Sequence, residues 1–293
     1  VPVLGYLYGH AQRLARVDIP QHRAEAFYGE GKNSQNANSM LFAQARGSKV
    51  LYWFSPQSGM DTMPEYLPEM TKSTPIFDAD GKCISTGYPY IYITPLLKLM
   101  NIYSFSQTTW YDFSNPSTID VIKARMWQLW QWGLAGAMID YGEWLYDDCY
   151  CYNGLYGDEM HNLISYYYAK VSAEAWSSYY KNNDYILFER SGFTGSHAFV
   201  ANFTGDNPST WEGLKDQIHG IISMGTGGFN VVGGDMGGFN RCNSAELYMR
   251  WVQYSAFCAL MRVHSGSELR DMAWMQNKGD LTVDTFMNYY YLR

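Results

Sequence analysis

Apolar residues along the chain fall into two kinds of run, and the two kinds alternate. Short runs bounded by turn-forming residues predict seven strands: Val3–Tyr8, Lys49–Phe54, Ala135–Ile139, Tyr185–Glu189, Ala198–Phe203, Phe229–Gly233 and Cys258–Val263. Stretches with apolar positions three and four residues apart predict helices over Ser34–Arg46, Ser117–Trp132, Asp158–Lys181, Ser209–Met224 and Ser244–Phe257. Ser117 and Ser209 stand at amino-cap positions, and Glu212 follows Ser209 at the spacing of a capping box. Strands that are apolar on both faces and alternate with helices make a parallel sheet. The fold class is therefore α/β. A (β/α)8 TIM barrel, which needs about 250 residues, fits a chain of 293.

Seven strands is one short of a closed barrel, and Val1-Pro2-Val3 opens almost directly in a strand. Either one short strand escapes the pattern or the first βα unit lies upstream; the second is the expectation, with strands two to eight in this chain. Val1 is not a native start, so a leader peptide could have preceded it and the compartment stays open. Residues 55–116, rich in Pro, Tyr and Gly, show little helical pattern and predict an elaborated loop over the strand ends. No linker or internal repeat divides the chain, so residues 1–293 read as one domain.

Composition narrows the function. The chain is 47% hydrophobic and 17% charged, which makes it globular rather than disordered. A net charge of −7 leaves no basic stripe for a phosphate backbone, so nucleic acid is not an expected partner. No apolar run reaches the roughly 18 residues of a membrane span. The cysteines Cys83, Cys149, Cys151, Cys242 and Cys258 are odd in number and scattered, which predicts no disulfide framework. Cys149-Tyr150-Cys151 lacks the gap of a zinc knuckle. Asn202-Phe203-Thr204 fits a glycosylation sequon but falls within a predicted buried strand, and is read as chance. Gly225–Gly228 and Gly233–Gly238 give no clean dinucleotide fingerprint, so close backbone approach at a barrel mouth explains them better. The 26 tyrosines and 10 tryptophans cut both ways: polar-tipped rings fill cores, and they also stack on sugar faces while bonding hydroxyls.

Chemistry gathers where predicted strands end. Asp140 follows Leu134-Ala135-Gly136-Ala137-Met138-Ile139, and Asp206 follows Ala198–Phe203 through Thr204-Gly205. Carboxyl ends of barrel strands are where this fold does its chemistry. A retaining glycosidase needs a carboxylate nucleophile and a second carboxyl that gives and recovers a proton, about 5–5.5 Å apart. Either Asp alone would more simply be a cap or a surface acid; the two together point to paired-carboxylate catalysis. Arg190 could clamp sugar hydroxyls or a catalytic carboxylate, or pair with Glu189 or another acid. His264 could bond a hydroxyl or be a satisfied core histidine. Asp235 could orient either group or cap a turn.

Five phrases in order carry a resemblance to glycoside hydrolase family 31, the retaining α-glucosidase and α-xylosidase family. They are Ile139-Asp140-Tyr141-Gly142-Glu143, Arg190–Ser196, Thr204–Glu212, Gly234–Phe239 and Met261-Arg262-Val263-His264. The resemblance implies that Asp140 is the nucleophile and Asp206 the acid/base. It also implies that Trp53, Tyr141, Arg190, Phe203, Asp235, Phe239 and His264 line the subsite for the non-reducing sugar. It implies an oligosaccharide or α-glycoside substrate and neither metal nor organic cofactor. One departure bears on the sugar. The second strand of the family usually ends in an Asp that holds the 4- and 6-hydroxyls of glucose, whereas this chain has Gly9 and His10. Tyr141-Gly142-Glu143 resembles the α-xylosidase and sulfoquinovosidase branches, and α-galactosides also stay open as substrates. An α-glycosyltransferase using the same intermediate fits equally, and a carbohydrate-binding barrel without catalysis is the alternative of a different class.

Overall fold

The computed structural model describes residues 4–6, 44–45, 49–59, 77–78, 80, 108–143, 145, 147, 149–239, 242 and 244–262. They fall into two compact units, Val1–Leu187 and Phe188–Arg293. No described helix is long and apolar enough to cross a membrane.

In the first unit, strand β1 (Leu4–Tyr6) pairs in parallel with β2 (Lys49–Phe54). Two short antiparallel pairs follow in the chain: β3 (Gln57–Gly59) with β5 (Thr108–Trp110), and β4 (Phe77–Asp78) with β7 (Cys149–Tyr150). The stretch expected to be loop thus carries short strands where it is described. Strand β6 (Gly136–Ile139) lies parallel to β2, with Trp53 opposite Met138 and Phe54 opposite Ile139. All four β6 residues are buried, as an apolar run predicts for a strand covered on both faces. A Cβ on Gly136 would come 2.1 Å from the Ile186 carbonyl oxygen, so glycine is what lets the backbones approach there.

Helix α1 (Thr118–Gln131) begins one residue after the expected Ser117, whose hydroxyl donates to Asn115 Oδ1 at 2.7 Å. The single helix expected over Asp158–Lys181 is two, α2 (Gly157–Met160) and α3 (Leu163–Tyr179). The physical reason lies in residues 158–162: only Met160 among them is apolar, so the stripe that anchors α3 starts at Leu163 and Ile164. α1 packs on α3 through Trp130, whose ring centroid lies 5.5 Å from that of Trp176 and 5.2 Å from that of Tyr179.

Strand β8 (Ile186–Glu189) straddles the boundary of the two units. In the second unit its end pairs with β9 (Ala201–Phe203), which pairs with β10 (Val232–Asp235), which pairs with β11 (Leu260–Arg262), all parallel. Helix α4 (Trp211–Thr226) connects β9 to β10, and α5 (Ala245–Ser255) connects β10 to β11. Leu214, Met236, Leu247, Tyr248, Trp251 and Val252 form their common core.

Among the boundaries that differ from expectation, three have a visible cause. The strand expected from Ala198 starts at Ala201, because Gly195 turns left-handed (φ 97°) and Ser196–Ala198 closes a 3-10 turn. The strand expected over Phe229–Gly233 runs over Val232–Asp235, since the Phe229 N–H still bonds the α4 carbonyl of Met224. The cap of α4 is Thr210 rather than Ser209: its hydroxyl accepts from Gly213 N at 3.0 Å. The third helical position is then Gly213, not Glu212, so the reciprocal half of a capping box is missing. Ser244 caps α5 by accepting from Leu247 N.

Candidate active site

Asp140 is the residue after β6 and is buried. Its position is set by the backbone: its N–H donates to Phe54 O at 2.7 Å, continuing the ladder to β2. From beneath, the Tyr168 hydroxyl of α3 comes within hydrogen-bonding distance of both Phe54 O (3.3 Å) and Asp140 O (3.4 Å). Each carboxylate oxygen then meets a donor. Trp53 Nε1 donates to Oδ2 at 2.8 Å, and the Tyr141 N–H donates to Oδ1 at 3.0 Å. Trp53 and Tyr141 also pack edge to face at 6.2 Å. Tyr141 holds φ at +61°, a left-handed conformation that costs a non-glycine residue on the order of 1 kcal/mol. That turn is what brings its N–H back to the preceding side chain. Two donors, one on each oxygen, fix the plane of the carboxyl group.

In the second unit Arg190 follows β8 and meets Asp206: Nη1 lies 3.6 Å from Oδ2, with the side chains 16% and 41% exposed. The contact is too long for a bidentate clamp and half open to water, so it orients more than it stabilises. Glu189 takes a different partner, the Ser191 hydroxyl at 2.6 Å. Asp206 stands three residues past β9. Its loop is pinned at Asn207, whose Oδ1 accepts from Thr204 Oγ1 at 2.9 Å and whose carbonyl accepts from Phe239 N at 2.8 Å.

Asp235 is itself the last residue of β10 and has no exposed surface. Arg262, two strand positions along β11 from Leu260, donates to Asp235 Oδ1 through Nε at 2.5 Å, and its Nη2 also meets that oxygen. The guanidinium carbon lies over the Phe203 ring, 3.9 Å from the centroid. A buried charge pair needs both partners, because either one alone would be left uncompensated. Among the described residues no group of three His, Cys, Asp or Glu could hold a metal ion.

Residues 31–293, most of the chain, match the family described as "Glycosyl hydrolases family 31 TIM-barrel domain". The chain belongs to glycoside hydrolase family 31. Members of this family are glycoside hydrolases acting on α-linked sugars, and the matched region is their (β/α)8 barrel. Among curated relatives, the sulfoquinovosidase of Escherichia coli strain K12 is 33% identical over 172 residues, covering 55% of this chain and 25% of the relative. The α-xylosidase of Emericella nidulans is 25% identical over 226 residues, covering 77% and 27%. Among solved structures, the cycloalternan-degrading enzyme from Trueperella pyogenes in complex with a covalent intermediate gives a TM-score of 0.72 at 25% identity, covering 87% of this chain and 35% of that one. The chain spans about a quarter of the length of these two curated relatives.

Within this family 31 barrel the expected site residues fall into local groups. Trp53, Tyr141 and Asp140 come together in the first unit. Arg190 meets Asp206 in the second, and Phe203 and Asp235 meet around Arg262. Phe239 joins the Asp206 loop through its backbone, as the bond to Asn207 shows. His264, Gly9 and His10 lie outside the described residues. Three residues that bond the candidate site residues or their loops were not among those expected: Tyr168, Gln217 and Arg262. Arg262 had a signal, since a cation in an otherwise apolar strand must find an acid. Gln217 had one too, because it sits on the apolar stripe of Leu214, Ile218 and Ile221.

Proposed function

We propose that this family 31 protein is an exo-acting, retaining α-glycosidase. Asp140 attacks the anomeric carbon, and Asp206 protonates the departing oxygen and then deprotonates the incoming water. The observation that carries this reading is the buried carboxylate of Asp140 at the end of β6, held in one orientation by a donor on each oxygen. The order of the five sequence phrases supports it, as does the covalent intermediate named for the Trueperella pyogenes enzyme. Trp53, Tyr141, Arg190, Phe203, Asp235, Phe239 and His264 would bind the non-reducing sugar or hold the two acids. The scheme needs neither metal nor organic cofactor. The relatives include sulfoquinovosidases and an α-xylosidase, and Gly9 and His10 stand where the family usually has a glucose-holding acid, so the substrate screen extends beyond α-glucosides.

Asp206→Ala supplies the test. General-acid help matters little when the departing group is a nitrophenolate. The variant should therefore keep kcat/KM for nitrophenyl α-glycosides while losing it for disaccharides, and azide should restore turnover. The parent protein, screened on nitrophenyl α-glucoside, xyloside, galactoside and sulfoquinovoside, identifies the sugar. Equal loss for both substrate classes, with the fold intact by its melting curve, would remove Asp206 from the acid/base role.

A further inference from the structure

Gln217 is a fully buried amide in the second turn of α4, on the face that packs against the core. Burying an amide in an apolar setting costs several kcal/mol unless every polar group is paired, about 4–8 by transfer to a medium without partners. Here all three directions are used. Its Nε2 lies 3.3 Å from Asn207 Oδ1 and 3.4 Å from Asp235 O, and its Oε1 accepts from Trp251 Nε1 of α5. The same Asn207 Oδ1 takes the Thr204 hydroxyl, and the Asn207 carbonyl takes the Phe239 N–H. A second feature of the fold answers to this amide. Gly234 of β10 lies where a Cβ would stand 2.1 Å from Gln217 Nε2 and 2.6 Å from Thr204 Oγ1, so the strand leaves room for the amide to pass.

We infer that Gln217 is a positioning residue for Asp206, fixing the loop that carries this acid against α5 and the end of β10. The inference rests on the proposed acid/base role of Asp206. Residue 207 is held through both its side chain and its carbonyl, whereas the neighbouring Asp206 side chain stays 41% exposed with Arg190 beside it. Aim is thus given to the carboxyl group through the backbone of its loop.

The test uses Gln217→Met, which keeps volume and helix propensity while removing all three bonds, and Asn207→Ala, which cuts the same link at a half-buried loop position where folding is more tolerant. Kinetics are read in the full chain beside Asp206→Ala. Because kcat/KM reports the steps up to formation of the glycosyl-enzyme, comparing two leaving groups in it isolates proton donation. A displaced acid should lower kcat/KM for a disaccharide or alkyl α-glycoside by about tenfold and for a nitrophenyl α-glycoside by no more than about twofold. Equal losses on both substrates, or none on either, would overturn the inference while Asp206→Ala still shows its leaving-group pattern. Should Asp206→Ala itself lack that pattern, the acid assignment fails and the positioning role goes with it. If Gln217→Met does not fold, Asn207→Ala decides by the same two ratios.

Discussion

Trp53→Phe removes one donor from Asp140 and keeps most of the ring. The bond lost is 2.8 Å long, joins a neutral N–H to a carboxylate in a part-buried setting, and leaves the Tyr141 N–H on the other oxygen. A hydrogen bond to a charged group contributes about 1.5–3 kcal/mol, which converts to roughly 10- to 150-fold in a rate if all of it acts on the transition state. Two effects oppose each other. A carboxylate with one donor fewer is intrinsically the stronger nucleophile, but it is also freer to rotate about its last bond. Attack needs one oxygen aimed at the anomeric carbon, and misplacement is penalised steeply. We place the surplus of lost aim over gained reactivity at about tenfold in kcat/KM. The assay is steady-state kinetics on a nitrophenyl α-glycoside, with melting curves to confirm folding. The loss should fall on kcat. A rise in KM at unchanged kcat would mean that Trp53 only binds sugar, and an unchanged or raised kcat/KM would refute the aiming role of its N–H.

Two further outcomes are expected. Arg262→Met leaves Asp235 buried without its counter-charge and should destabilise the protein by about 3–5 kcal/mol in urea unfolding, whereas a change under 1 kcal/mol would show that Asp235 has found another partner. Burial, with the Asp112 carboxylate and Cys149 adding to it, pushes the Cys151 thiol up to about 12, so at pH 8.5 it stays protonated. Peptide mapping after iodoacetamide treatment of native protein at that pH should find Cys151 unmodified, and modification there without unfolding would contradict its burial.

The strands were the most legible part of the chain, and the reason is physical. Lys49–Phe54 is found to the residue because an unbroken apolar run has one way to sit between covered faces. Ser244 caps its helix as its place before an apolar stripe implies. Asn202 illustrates how context overrides a motif: its sequon amide is buried and donates to Ser191 O at 2.8 Å. The start of α4 was missed because Ser209 and Thr210 offer the same chemistry one residue apart. Choosing between them takes the backbone at Pro208, whose carbonyl accepts the Thr210 N–H. The strand ending in Asp235 was placed too early because its two glycines carry no apolar signal. The candidate acids could be read from strand ends, and Arg190 as a clamp for one of them, but the bonds from Trp53 to Asp140 and from Arg262 to Asp235 could not. Trp53 and Asp140 are 87 positions apart and Asp235 and Arg262 are 27 apart, and only the parallel pairing of β2 with β6 and of β10 with β11 brings them together.

The central claim is that Asp140 forms the bond to sugar and Asp206 does not. In Asp206→Ala the second step loses its base, so a rapidly departing nitrophenyl α-glycoside should load the enzyme faster than water unloads it. The decisive measurement is mass spectrometry of that variant, quenched and digested after exposure to the substrate that the parent protein prefers. The account predicts one sugar on the peptide containing Asp140, absent from the double variant with Asp140→Ala. A sugar on any other peptide, or continued turnover in Asp140→Ala, would contradict it.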